Sequence, residues 1–181
     1  MSDQRDLERL KDGDIRALGA LVERYQTKAL RAAYLITHDL ASAEDIVSGA
    51  FLRVFERANQ HDASRPFGPW FYRIVVNDAI KLAQRRDRTT SIENVALPTS
   101  GDASTDPETA AVLREERKAV RDALDRLTPQ QRGAVVMRYF LGLTEAEMVE
   151  RTNRTPGTVK RHLHDARARL KGLLQTTMRN D

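Results

Sequence analysis

Three threonine-led helix starts punctuate the last third of the chain, and they leave it little freedom in how to fold. Thr128 with Gln131, and Thr144 with Glu147, each set a hydroxyl at an N-cap and an amide or carboxylate three residues later. That pairing satisfies two orphan N–H groups at a helix start. Thr155 supplies a third cap, and Pro156 takes the first helical position, where a missing N–H costs nothing. Gly142 ends the helix that Thr128 opens, and Asn153, which tolerates a left-handed backbone, ends the one that Thr144 opens. The spacing predicts a short helix, a tight turn and a longer helix across 144–171. On the longer one Val159, Leu163, Ala166 and Leu170 form one apolar stripe. Its other faces carry Lys160, Arg161, His162, His164, Arg167, Arg169 and Lys171, opposed only by Asp165. A solvated charged helix would not need two independent caps and a turn; a helix-turn-helix that reads a major groove does.

Overall charge adds little to this. The 181 residues are 31% charged with a formal net charge of +4, so local clustering is the better sign of nucleic-acid binding. The length allows one large or two small domains. Absence of cysteine excludes a disulfide framework, a thiolate nucleophile and a Cys-ligated metal. No apolar run approaches the roughly 18 residues of a membrane span, and the polar start Met1-Ser2-Asp3-Gln4-Arg5-Asp6 is unlike a secretory signal. A cytoplasmic protein without membrane insertion is expected. Of the histidines His38, His61, His162 and His164, the last two stand two apart on one helix and point to nearly opposite faces, so they cannot share a metal. With no carboxylate constellation, Gly-rich phosphate loop or nucleophile–base pair, the chain reads as a non-enzyme without catalytic residues, metal or cofactor.

Along the chain an all-α fold is expected: two small helical domains joined by a flexible linker, at 6–86, 87–105 and 106–175, with the helix-turn-helix in the second. The linker mixes Ser, Thr, Gly, Pro and acids without periodicity. The first domain reads as three helices. The first, near 14–37, carries Ile15, Leu18, Val22, Tyr25 and Ala29 on one face. Ser42 with Asp45 caps the second, whose wide stripe is Ile46, Val47, Ala50, Phe51, Val54 and Phe55. The third follows Pro66, aromatic at its start (Phe67, Trp70, Phe71, Tyr72) and basic at its end (Lys81, Arg85, Arg86, Arg88). Such aromatics could stack unpaired bases, or they could be core with the cations complementing the helix dipole. Trp70 reads as core. Asn77, an amide midway along an apolar helix, needs either a neighbouring backbone group or a base edge. In the second domain Asp106-Pro107-Glu108 restarts helix, and Val112, Val120, Ala123, Leu124 and Leu127 line it. Ala134, Val135 and Arg138 follow on the next.

Two blocks then resemble one family. Leu124-Asp125-Arg126-Leu127-Thr128-Pro129-Gln130-Gln131-Arg132, Arg138 through Glu147, and Thr155-Pro156-Gly157-Thr158-Val159-Lys160 resemble the C-terminal domain of bacterial sigma factors, most of all the extracytoplasmic-function group. Glu44-Asp45-Ile46-Val47 with Phe51-Leu52-Arg53-Val54-Phe55, then Trp70-Phe71-Tyr72-Arg73-Ile74 with Asn77, are similar to its N-terminal domain. The resemblance implies a non-catalytic subunit that binds RNA polymerase core and confers promoter recognition. It implies that Asp45, Ile46, Phe51 and Phe55 contact, or support contact with, the clamp of the largest polymerase subunit. Asn77, with Lys81, Arg85 and Arg86, would read and open the downstream (−10) promoter element, Asn77 meeting a flipped base. Thr158, Lys160, Arg161, His164 and Arg167 would read the upstream (−35) element. An anti-sigma factor is the further partner implied.

The chain departs from that pattern at four places. Ser48-Gly49 stand where family members carry Gln-Glu, and a mid-helix glycine costs about 0.5–1 kcal/mol relative to alanine. Asp62-Ala63-Ser64 lacks the family's Arg-Gly, Asp165 replaces a commonly basic residue, and Arg161 stands where a small one is frequent. A helix-turn-helix regulator that does not dock on polymerase is one alternative, against which the paired N-terminal block argues. Ser48-Gly49 and Asp165 keep open a second, a degenerate interaction protein that has lost DNA binding and confers no promoter specificity.

Overall fold

The computed structural model describes residues 2–62, 64–89, 115, 118–150 and 155–177, and the regular structure among them is helical throughout. The N-terminal group comprises α1 (Asp3–Lys11), α2 (Arg16–Thr37), α3 (Leu40–Glu56), a 3₁₀ turn (Ala58–Gln60) and α4 (Phe67–Thr89). The C-terminal group comprises α5 (118–125), α6 (Pro129–Val135) running into a π turn (Val136–Phe140), α7 (Glu145–Val149) and α8 (Pro156–Thr177). Helix α4 thus runs three residues into the expected linker. The rest of that linker, the Asp106-Pro107-Glu108 restart, Val112 and Asn153 lie outside the described residues.

Two N-terminal features differ from expectation. Helix α1 is an additional element, with only Leu7 and Leu10 as apolar anchors. Its charged residues hold it instead: Asp6, fully buried, accepts from Arg24 Nη2 at 2.5 Å, and Tyr25 Oη donates to Asp3. Gly13, at φ +89°, makes the turn into α2, a conformation that side chains other than glycine rarely adopt. Helix α3 starts earlier than expected, because Asp39 and not Ser42 is its N-cap. The Asp39 carboxylate accepts from Ser42 N at 3.2 Å, and an anion at a helix N-terminus also meets the dipole favourably.

The aromatic start of α4 is core, as one of the two sequence readings had it, except for Trp70. Phe67 and Phe71 stack with centroids 5.5 Å apart, Phe51 lies 4.5 Å from Phe71, and Tyr25 meets both edge-on. Trp70 is half-buried at the margin, 4.6 Å from the His61 ring.

The capping signals of the C-terminal group open helices where they were expected. Thr128 and Thr144 form complete capping boxes, and Thr155 Oγ1 accepts from Thr158 N at 3.3 Å. Gly142 takes φ +79° after the π turn, in which Leu141 N reaches back five residues to Val136 O. Val159, Leu163 and Ala166 are buried as the α8 stripe requires. Val120 is not: it is 52% exposed.

One apolar cluster runs through both groups, from Leu7 to Leu163. Close approach of α6 to α4 permits this. A Cβ on Gly133 would overlap the Ile80 side chain, so only glycine lets these helices come so near. Beside it the Arg132 guanidinium, 8% exposed, donates to Leu124 O, Asp125 O, Leu127 O and, across the junction, to Ile36 O at 2.7 Å. A buried cation fully shared among carbonyls escapes most of the penalty of desolvation.

Candidate nucleic-acid interfaces

Helix α8 presents its cations outward because its stripe is buried against α6 and α7. Lys160, Arg161, His164 and Arg167 are all exposed, while Thr158 is half-buried and tied to the Thr155 cap, their hydroxyls 3.0 Å apart. Asp165 lies 3.7 Å from Arg161 Nε and 3.4 Å from His164 Nδ1. Such exposed pairs are weak, so Asp165 steers these two side chains more than it neutralises them.

A second site lies between α3 and α4. A cleft of about 300 Å³ is lined by Arg53, Arg57, Gln60, Trp70, Ile74, Asn77, Asp78 and Lys81. Asn77 lines this cleft, and among the described residues its side-chain amide has no hydrogen-bond partner. Arg53 donates to Asp78, and Lys81 lies 3.8 Å from the same carboxylate. The structure brings Asn77 and Lys81 together but not Arg85 and Arg86. Both of these are exposed further along α4, and Arg86 donates to Asp39 Oδ2 and Ser42 Oγ, each at 2.9 Å. Hydrogen bonds from Ser42 and then Arg86 hold the Asp39 carboxyl below the usual range.

On the outer face of α3, Asp45, Ser48, Leu52 and Phe55 follow at three- and four-residue steps, all exposed, with Leu52 at 61% and Phe55 at 44%. Ile46 is half-buried. Phe51 faces the opposite way, 6% exposed within the ring cluster. Gly49 has open space around its missing Cβ, so packing does not demand a glycine there.

Where the two groups meet, His38 closes α2 at φ 53°. Its Nε2 is 2.7 Å from Asp125 Oδ1 but too far out of line for a hydrogen bond. Burial, with the Arg132 and Arg121 charges, holds its pKa below the ordinary histidine value against the pull of Asp125. Nearby, Leu35, Val120, Ala123, Leu124, Tyr139 and Leu170 help line an almost wholly apolar groove of about 300 Å³.

Comparison with known proteins decides what carries these surfaces. Residues 21–89 match the model of sigma-70 region 2, and residues 117–170 that of sigma-70 region 4. The sigma-H factor of Pseudomonas aeruginosa is 30% identical over 98% of this chain and 96% of its own. The extracytoplasmic-function sigma factor SigW of Bacillus subtilis is 26% identical over 95% and 96%. The chain belongs to the extracytoplasmic-function sigma factors. The sigma factor therefore directs RNA polymerase to promoters. Its fold is that of CnrH, solved in complex with the cytosolic domain of CnrY (TM-score 0.71, 23% identity, 97% of this chain and 99% of that one). It is also that of RpoE from Bartonella quintana, solved with the anti-sigma factor NepR (TM-score 0.67, 20% identity, 87% and 96%).

Sequence reasoning missed several residues of these surfaces. Arg53, Arg57 and Gln60 join Asn77 only because the end of α3 and the 3₁₀ turn pack beside α4, a tertiary fact without local signal. Leu52 could have been found, since an apolar residue off the buried stripe of an amphipathic helix is the ordinary mark of an interface. No helix among the described residues of this sigma factor is long and apolar enough to cross a membrane.

Proposed function

We propose that this sigma factor reads an upstream (−35) element with α8, opens a downstream (−10) element with α4, and docks on the clamp of the largest polymerase subunit through the outer face of α3. The observation that carries this reading is the α3–α4 cleft, where the Asn77 amide stands with a half-buried indole and the cations Arg53, Arg57 and Lys81. An amide offers both donor and acceptor to a base edge, the indole offers a stacking face, and the cations follow the backbone. Capture of an extruded base offsets the few kcal/mol that unstacking costs, so strand opening needs no fuel and no catalytic group on this chain. Thr158, Lys160, Arg161, His164 and Arg167 are assigned to the upstream element, and Asn77 and Lys81, extended by Arg85 and Arg86, to the downstream one. Asp45, Ile46 and Phe55 form the docking face, with Phe51 supporting it from the core and Leu52 added to it. The chain works in the cytoplasm as an initiation factor, and the chemistry stays with polymerase. An anti-sigma factor is its inhibitory partner, and the apolar groove beside α5 supports that reading by leaving Val120 and Tyr139 uncovered.

Run-off transcription with purified core polymerase on a promoter library tests this function. Specific initiation above core alone is expected, and Leu52→Asp with Phe55→Asp should abolish it while α8 still binds duplex DNA. Initiation no better than core alone refutes the function; full initiation by the double variant refutes the docking face.

A further inference from the structure

The contact between α4 and α7 has a composition that cohesion alone does not explain. Glu150, at the C-cap of α7, sends its carboxylate across the junction to two guanidinium groups of the N-terminal group. It pairs with Arg65 Nη1, and Arg73 Nη1 lies 3.4 Å from its other oxygen. Arg73 also donates to Glu147 O at 2.6 Å and is buried, its side chain 6% exposed. Arg65 spends its Nε on Asp62 at 3.1 Å, which leaves the Nη1 edge for an outside anion. The dipole of a helix disfavours an acid at its C-terminus, so nothing in α7 itself calls for Glu150 there; the two arginines do.

Around them lies a cleft of about 100 Å³, lined also by His61, Pro66, Pro69 and Trp70. Two further acids line it: Asp62, which accepts from Ser64 and Arg65, and Glu147, whose carboxylate is held in the Thr144 capping box. Trp70 lines this cleft and the Asn77 cleft alike, so the two are neighbours across one indole. Two arginines converging on one anion beside a tryptophan is the chemistry that holds a phosphate and its stacked base. We propose that Arg65 and Arg73, with Trp70 between them and Asn77, form a site for a phosphate of single-stranded DNA, which Glu150 occupies from within the same chain. The inference rests on the reading of α4 as the strand-opening helix. Its consequence is mutual: while Glu150 fills the site the modules stay together, and unpaired DNA that takes the site also releases α7.

Binding of the full chain to a fluorescein-labelled pool of random single-stranded oligodeoxynucleotides, without polymerase, tests this. Glu150→Gln should bind about tenfold more tightly than the natural chain, the weight of one charged hydrogen bond no longer competed away. Glu145→Gln, on the same helix and away from the arginines, should change affinity less than about twofold, as expected of a screened surface charge. Arg65→Ala combined with Glu150→Gln should erase the gain. Equal gains in the two glutamine variants, no gain in either, or a gain that survives loss of Arg65 each overturns the proposal. Failure here with intact promoter-directed transcription removes the masked site alone, whereas failed transcription with a clear Glu150→Gln gain removes the strand-opening reading.

Discussion

Gly133→Ala measures how firmly the two helical groups are joined. On an isolated helix the change would stabilise by about 1 kcal/mol, because glycine is the poorer helix former. Here the new methyl would overlap Ile80 Cδ1, sit 2.8 Å from Ile80 Cγ1 and 3.4 Å from Val76 Cγ1, with Ile80 only 2% exposed. Overpacking a filled core costs about 1–3 kcal/mol, so the net loss should be roughly 1 kcal/mol. Ile80→Val removes the worst-placed atom, Cδ1, at an ordinary cost of about 0.5–1.5 kcal/mol. The double variant keeps the gain in helix propensity and loses much of the overlap. It should therefore be about 1 kcal/mol more stable than the sum of the single changes, beyond the roughly 0.5 kcal/mol scatter of independent sites. With a urea slope near 2 kcal/mol/M this is about 0.5 M in midpoint, readily resolved by circular dichroism. Additivity would mean that α4 and α6 do not touch in solution, and the shared core would be wrong.

Three further outcomes follow. Because the folded pKa of His38 is depressed, the unfolded chain takes its proton first. Stability should be full above the ordinary histidine value of 6.5 and should fall as pH drops through it. His38→Asn, which tolerates the left-handed backbone, should lessen the slope of urea midpoint between pH 7.5 and 5.5, and an unchanged slope would refute the assignment. Lys160→Ala with Arg161→Ala should cost about 1–3 kcal/mol of discrimination per lost base contact and reduce the salt dependence of duplex binding. Promoter choice indifferent to the pair would remove both from the reading helix. Asn77→Ala should slow strand opening, followed by permanganate reactivity, more than it weakens closed binding; equal effects on both steps would count against a flipped base.

What the sequence disclosed divides along the range of the forces involved. Thr128, Thr144 and Thr155 act on N–H groups three residues away, and each helix they open starts where the caps place it. The α8 stripe was legible for the same local reason. Helix α1 was hidden because a period-based reading looks for apolar residues, and charged contacts from Asp3 and Asp6 to α2 anchor it instead. Asp39 was passed over as the α3 cap because Ser42 offered a pattern of the same kind three residues on. Of the basic end of α4, Lys81 lines the cleft, but Arg86 turned out to tie α4 to the start of α3. Arg53, Arg57 and Gln60 beside Asn77, and Arg65 and Arg73 beside Glu150, come from segments 17 or more positions away, and no spacing rule reaches that far.

The junction combines two kinds of contact that respond differently to surroundings. Arg65 and Glu150 form a partly exposed ionic latch with the buried Arg73 behind it, and Lys28 adds a long 3.5 Å approach to Leu141 O. Salt screens such groups, and water can replace each of their partners once the modules part. The Gly133–Ile80–Val76 contact has no such substitute: separation exposes apolar surface at a cost nearly indifferent to salt. The Arg132 to Ile36 O bond lies between these cases, since the guanidinium keeps three carbonyls of its own half after parting. Raising salt should therefore loosen α7 from α4 well before α6 leaves it. Hydrogen exchange would then show protection lost first at Met148 and Val149 while the amides of α6 stay closed. Simultaneous loss at both would mean that the ionic and apolar contacts form one cooperative unit, and that release of Glu150 by DNA would open the whole junction at once.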